Sequence, residues 1–169
     1  TGNLATGTVW SSRAGRGAGC TTGRSGTCEI YKRPATGGEA LQLTADSAGA
    51  FSPAWSPDGR QIAYHSLRAG NRDLYTMAAD GSGVIQRTSS PAHELDPTWS
   101  RDGRALMAEV IPAGGGAAAA STFLTASTFV VVPIAGSARR SVSVPGDLAP
   151  GATTEGRVAF TCHEGLGGM

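Results

Sequence analysis

The hexapeptide Trp55-Ser56-Pro57-Asp58-Gly59-Arg60 returns as Trp99-Ser100-Arg101-Asp102-Gly103-Arg104, 44 residues further along the chain. A tryptophan three residues ahead of an Asp-Gly turn, found twice at one period, marks a chain built from copies of one supersecondary unit. The copying extends beyond the hexapeptide. Glu29-Ile30-Tyr31, Pro34 and Gly37-Gly38 stand 44 residues before Asp73-Leu74-Tyr75, Ala78 and Gly81-Ser82. Downstream, Phe129-Val130-Val131-Val132-Pro133 with Gly136-Ser137 takes the place of the later strands of another copy, and Glu155-Gly156-Arg157-Val158-Ala159-Phe160 marks a last partial one.

The unit reads most clearly between Phe51 and Thr88. Its apolar runs are Ala54-Trp55-Ser56, Ile62-Ala63-Tyr64, Leu74-Tyr75-Thr76-Met77 and a weaker Val84-Ile85-Gln86. Turn chemistry separates them: Pro57 has a preset φ, Gly59 tolerates a positive one, and Asp80-Gly81 is a strong hairpin signal. Short strands joined by short turns form an antiparallel meander, and no helical period competes. With Pro53-Ala54-Trp55-Ser56-Pro57-Asp58-Gly59-Arg60, Ile62-Ala63-Tyr64, Asp73-Leu74-Tyr75 and Asp80-Gly81-Ser82-Gly83, the unit resembles the repeat of TolB-type (WD-repeat-like) β-propellers. The resemblance implies an all-β fold in which each copy is a four-stranded blade. Trp55, Asp58, Gly59, Trp99, Asp102 and Gly103 would then define the blades, with the two tryptophans buried at equivalent places. It says little about function, because propellers host binding, scaffolding and hydrolysis alike.

The expected organisation is one domain over 1–169, with a partial blade at 7–44, blades at 50–88 and 97–143, and a partial blade at 148–162. Gly7 to Ser12 aligns with the Ile62 strand, so the chain is expected to begin at the second strand of a blade. An insertion of about ten residues then carries Cys20 and Cys28. The segment Pro112 to Ser127, with its Gly114 to Ala120 run, is longer than its counterpart by about eleven residues. It reads as a surface loop or as a small-residue segment packed against another chain. Both insertions fall at one place in the repeat and should project from one rim.

Composition adds bounds. Glycine, at 25 residues, suits a turn-rich β protein, and the formal net charge of +1 offers no electrostatic grip on nucleic acid. No run approaches the length of a membrane helix. The chain starts without Met and without a basic-then-apolar leader, so a mature product or an excised piece is expected. Cys20 and Cys28 flank a Gly/Ser/Thr-rich tip with nothing to pack. A disulfide would restrain it, whereas a metal pair would need two further ligands at a recognisable spacing. Cys162 reads as a small core residue; Cys162-His163-Glu164 lacks the upstream Cys of a haem-attachment site, having Ala159 there.

No nucleophile elbow, zinc-protease motif or phosphate loop is present. No catalytic residue, cofactor or metal is therefore assigned. His93, Glu94 and Asp96 form the most polar segment between copies. The family resemblance places that loop at a rim near the central channel, where they could meet a ligand or ion. The simpler reading has Asp96 capping the turn before Pro97 and the others solvated. His65 sits in a polar column with Ser11 and Glu109 and is expected to face solvent. Asp58 and Asp102 read as turn formers.

The inventory amounts to about three blades, fewer than a closed ring needs. Open strand edges invite pairing. The leading expectation is a non-enzymatic extracellular or periplasmic module that acts by protein association, as a self-associating subunit completed by other copies in a dimer or filament. The alternatives are a TolB-like scaffold, truncated from a larger propeller, that binds a protein or peptide, and a propeller-type hydrolase or lyase domain.

Overall fold

The computed structural model describes residues 9–13, 16–22, 27–34, 38–113, 127–135, 140–144, 148–154 and 157–162, with side chains over 27–34, 38–113 and 128–135. The described residues form antiparallel sheets in chain order. The first blade is β1 (Val9–Arg13), β2 (Arg16–Thr22), β3 (Cys28–Pro34) and β4 (Leu41–Gln42). The second is β5 (Ala50–Trp55), β6 (Gln61–Ser66), β7 (Asp73–Ala78) and β8 (Ile85–Gln86). The third is β9 (His93–Trp99), β10 (Ala105–Ile111), β11 (Ser127–Pro133) and β12 (Arg140–Val144). A two-stranded sheet, β13 (Leu148–Thr154) with β14 (Arg157–Cys162), follows. This is a partial propeller of about three blades.

Two expectations change. The first blade is not missing a strand. Val9–Arg13 pairs with Arg16–Thr22, and that segment pairs with β3, so the stretch read as an insertion is the second strand. Ladder hydrogen bonds come from the backbone, and a strand of Gly, Ala, Thr and Cys can form them without the large side chains that advertise a strand in sequence. Cys20 lies opposite Ile30, and Cys28 lies opposite Thr22. Cys28 is disulfide-bonded; the side chain of Cys20 lies outside the described residues, as do that of Cys162 and the Gly114 to Ala120 run. The second change concerns His65, which is buried. Strand β6 is covered on both sides by neighbouring blades, so period-two alternation does not lead to solvent here.

Alternation along β6 and β7 instead divides residues between two seams. Ile62, Tyr64, Tyr75 and Met77 join Trp55 and Ile30 in the core between the first and second blades. Ala63 and Leu74 join Trp99, Leu106, Ala108, Val130 and Val132 between the second and third. Trp55 and Trp99 are 7% and 5% exposed and occupy equivalent places in the two cores. The Trp99 indole donates from Nε1 to Ala54 O at 3.0 Å, whereas Trp55 Nε1 is buried with no acceptor.

Each seam is also crossed by a cation bound to a backbone carbonyl. Lys32 Nζ donates to Ala79 O at 2.7 Å, and Arg87 Nη1 donates to Ile134 O at 3.0 Å. Ala79 and Ile134 correspond, since their N–H groups donate to Arg60 O and Arg104 O at 2.8 Å each.

Candidate functional site

The repeated hexapeptide is a turn with one hydrogen-bond plan. Ser56 Oγ donates to Asp58 Oδ1 at 2.6 Å, and Arg60 N donates to the same oxygen at 3.0 Å. Ser100 Oγ and Arg104 N do the same to Asp102 Oδ1, at 2.6 and 3.0 Å. Gly59 and Gly103 close the turns with φ of +69° and +71°. The serine hydroxyl bonds hold both carboxyls below the usual aspartate range, with the backbone N–H next in weight. All of this chemistry is spent on shaping the turn.

The innermost strands carry a different feature. In β5, Ser52 and Pro53 together face Tyr64, between the pairs Phe51–His65 and Ala54–Ala63. In β9, Asp96 and Pro97 together face Ala108, between the pairs Leu95–Glu109 and Thr98–Met107. Each is a β-bulge. Proline has no N–H to give a ladder, and the extra residue absorbs the defect. Ser52 and Asp96, the residues before each proline, are the non-glycine residues with positive φ among those described, at +50° and +51°. Such backbone costs about 1–3 kcal/mol per residue and persists where its surroundings impose it. Ser52 Oγ donates to the Asp96 carboxylate at 2.6 Å, joining the two inner strands, and Asp96 is exposed.

His65 stands behind this pair. Its ring stacks on Phe51 at 5.4 Å between centroids and 16° between planes. Its Nδ1 accepts from Asp96 N at 3.3 Å, so in the neutral ring Nε2 carries the proton. Burial pushes its pKa down to about 4; the Asp96 charge opposes that shift and Arg72 adds to it. The ring is a neutral acceptor that supports the bulge.

Residues 9–111 match the TolB beta propeller domain family. The chain belongs to that family. Its fold is similar to that of a putative TolB from Agrobacterium tumefaciens, at TM-score 0.71 and 22% identity, over 86% of this chain and 52% of that one. TolB from Acinetobacter baumannii gives 0.67 at 20% identity, over 89% and 35% of the two chains. An oligogalacturonate lyase from Vibrio parahaemolyticus gives 0.63 at 14% identity, over 88% and 43%. The chain thus spans about half the length of these proteins or less. No curated protein matches the sequence.

Within this TolB-type propeller, the three residues singled out as a rim cluster point to three different partners. His93 is half-buried and accepts at Nδ1 from Arg72 N at 3.2 Å. Glu94 is buried between blades, accepting from Ser90 Oγ at 2.5 Å. Asp96 alone is exposed, on the inner strand with Ser52. Among the described residues, no group of three or more His, Cys, Asp or Glu is placed to hold a metal, and no helix is long and apolar enough to cross a membrane.

Sequence reasoning did not find Ser52, the two bulges, or the buried acids that hold the segment leaving each blade. Glu29 accepts from Thr44 Oγ1 at 2.5 Å and from Asp46 N at 2.7 Å. In the next copy Asp73 accepts from Thr88 Oγ1 at 3.3 Å. Each threonine also accepts from the strand, Thr44 from Ile30 N at 2.9 Å and Thr88 from Leu74 N at 2.8 Å. The signal was present: an acid ahead of Ile-Tyr or Leu-Tyr, with a threonine 15 residues on. The x-Pro pair 44 residues apart announces the bulges in the same way.

Proposed function

We propose that this TolB-type chain is a non-catalytic module of the extracellular or periplasmic space that works by protein association, with copies of the chain pairing through the outer strands of their blades. One observation carries the reading. Leu41 on β4 and Ile85 on β8 stand at the same position in successive copies and are 55% and 51% exposed, with Val84 beside Ile85. These outer strands are two residues long and end their sheets, so one side of their backbone faces away from the blade. Exposed strand edges with apolar side chains are surfaces on which another strand can pair. The non-catalytic reading is supported by His65, His93 and Glu94, whose described bonds run to separate structural partners.

Sedimentation velocity over a concentration series tests this. The wild-type chain should associate, and the double variant Leu41→Glu, Ile85→Glu should sediment as a folded monomer. A wild-type chain that stays monomeric throughout, or a double variant that associates equally well, would refute pairing through these edges. A second reading, a scaffold that holds a segment of another protein over the channel mouth, is favoured by the exposed Asp96 at its strained position. It separates cleanly, because Asp96→Ala should leave self-association unchanged.

A further inference from the structure

Among the described residues, the exposed large apolar side chains all stand on the outer strands: Leu41 on β4, Ile85 on β8 and Val84 just before it. The ladders fix which way two of them face, because residues paired across neighbouring strands share one side of a sheet. Leu41 pairs with Lys32, whose ammonium reaches Ala79 O of the second blade, so Leu41 lies on the side of the first seam. Ile85 pairs with Thr76, whose Oγ1 accepts from Arg87 Nε at 2.8 Å, and the same guanidinium reaches Ile134 O of the third blade. Ile85 therefore lies on the side of the second seam.

Beside Leu41 the first seam opens into a cleft of about 620 Å³, with Pro34, Leu41, Ala78 and Ala79 as its apolar wall. One change in the repeat makes room for it. Arg87, beside Thr76 in the second seam, has Leu43 as its counterpart 44 residues earlier, and Leu43 packs inward onto the core. Cleft and protruding pair keep a fixed spacing. Gly81, at φ +91°, seats the β7–β8 turn on the first blade, where an added Cβ would come within 3.0 Å of Leu43 O. Their charges are also opposite. Segment 80–86 carries one charge, the Asp80 carboxylate, which accepts from Ser82 N at 2.9 Å and Ser82 Oγ at 2.6 Å. The cleft is lined by three cations, Lys32, Arg33 and Arg60, against two acids, Glu39 and Asp80.

Resting on the self-association proposed for the outer strands, we infer that the cleft between the first and second blades receives Val84 and Ile85 of a second copy, and that two copies insert reciprocally about one twofold axis. Cleft and protruding pair stand on the outer strands of adjacent blades, so one rotation places each Ile85 in the other copy's cleft, against Leu41. Such a contact uses the same patch on both copies and stops at two. It removes all of these exposed apolar side chains from water, which is its driving force. Each hairpin also carries Asp80 towards the cations of the partner's cleft.

The single variants Leu41→Glu and Ile85→Glu, alone and mixed one to one, test this by sedimentation velocity and native mass spectrometry. Circular dichroism checks that each is folded, and Leu41→Ser or Ile85→Ser replaces one that is not. The wild-type dimer has two intact insertions. Either variant alone has none, since every cleft or every inserting strand is altered, and the mixed dimer has one. Either variant alone should therefore raise the dimer dissociation constant about tenfold or more, and the mixed dimer should recover part of that loss. The wild-type chain should stop at the dimer. A single variant that dimerises as well as wild type, a mixture no tighter than its components, or a wild-type chain that grows past the dimer overturns reciprocal insertion and leaves edge pairing standing. A wild-type chain that stays monomeric overturns both.

Discussion

Two tryptophans at one repeat position differ in one atom's circumstances, and exchanging each for phenylalanine isolates that difference. Trp55 and Trp99 fill equivalent cores and are buried alike, so the loss of indole bulk should be similar. Trp99→Phe also breaks the 3.0 Å bond to Ala54 O, a net loss of about 0.5–1.5 kcal/mol. Trp55→Phe removes a buried N–H that has no acceptor and so relieves a desolvation cost of about 1–3 kcal/mol. Trp99→Phe should therefore cost about 1.5–4.5 kcal/mol more than Trp55→Phe, while either tryptophan replaced by alanine should cost about 3–5 kcal/mol. Urea unfolding of the four variants, compared at a common m-value, measures the gap. A difference below about 0.5 kcal/mol, or one of opposite sign, would refute the assignment of donor and orphan.

Other outcomes follow from the same geometry. With the His65 pKa held at about 4 against 6.5, the unfolded chain takes up a proton that the folded chain refuses; stability should fall as pH drops through that window, and His65→Gln should remove this part of the fall in acid-unfolding curves. Gly59→Ala and Gly103→Ala should each cost about 1–2 kcal/mol in thermal or denaturant unfolding, because the left-handed backbone is the common penalty. Their costs should match, since a Cβ at Gly59 meets nothing and one at Gly103 meets Pro57 Cδ at an ordinary 3.6 Å. Non-reducing peptide mapping should recover Cys20 linked to Cys28; both thiols open to alkylation would end that expectation.

What could be read from the sequence was whatever rests on one residue and its near neighbours. Asp58-Gly59 and Asp102-Gly103 announce their turns because the side chain, the hydroxyl and the positive φ all lie within the hexapeptide. Trp55 and Trp99 were legible as core because a large apolar residue repeats at one phase. Arg16 to Thr22 was misread because its pairing depends on a backbone that composition does not reveal. His65 was misread because one-sided burial was assumed, while a blade between two blades has no outer face along β6. Glu94 looked like a rim residue beside His93 and Asp96. Strand alternation and the approach of Asp73 from another blade place it inside, and neither is visible in a linear segment.

The two cations that cross the seams reach corresponding carbonyls from different places in the repeat, Lys32 from a third strand and Arg87 from the end of a fourth. The acceptors, Ala79 O and Ile134 O, belong to the main chain, which substitution cannot delete. A seam of this kind tolerates drift on its donor side, because any long cation within reach can serve a fixed oxygen. Blades joined in this way can diverge in sequence while keeping their spacing, and a duplicated or transplanted blade would need only a suitably placed lysine or arginine to dock.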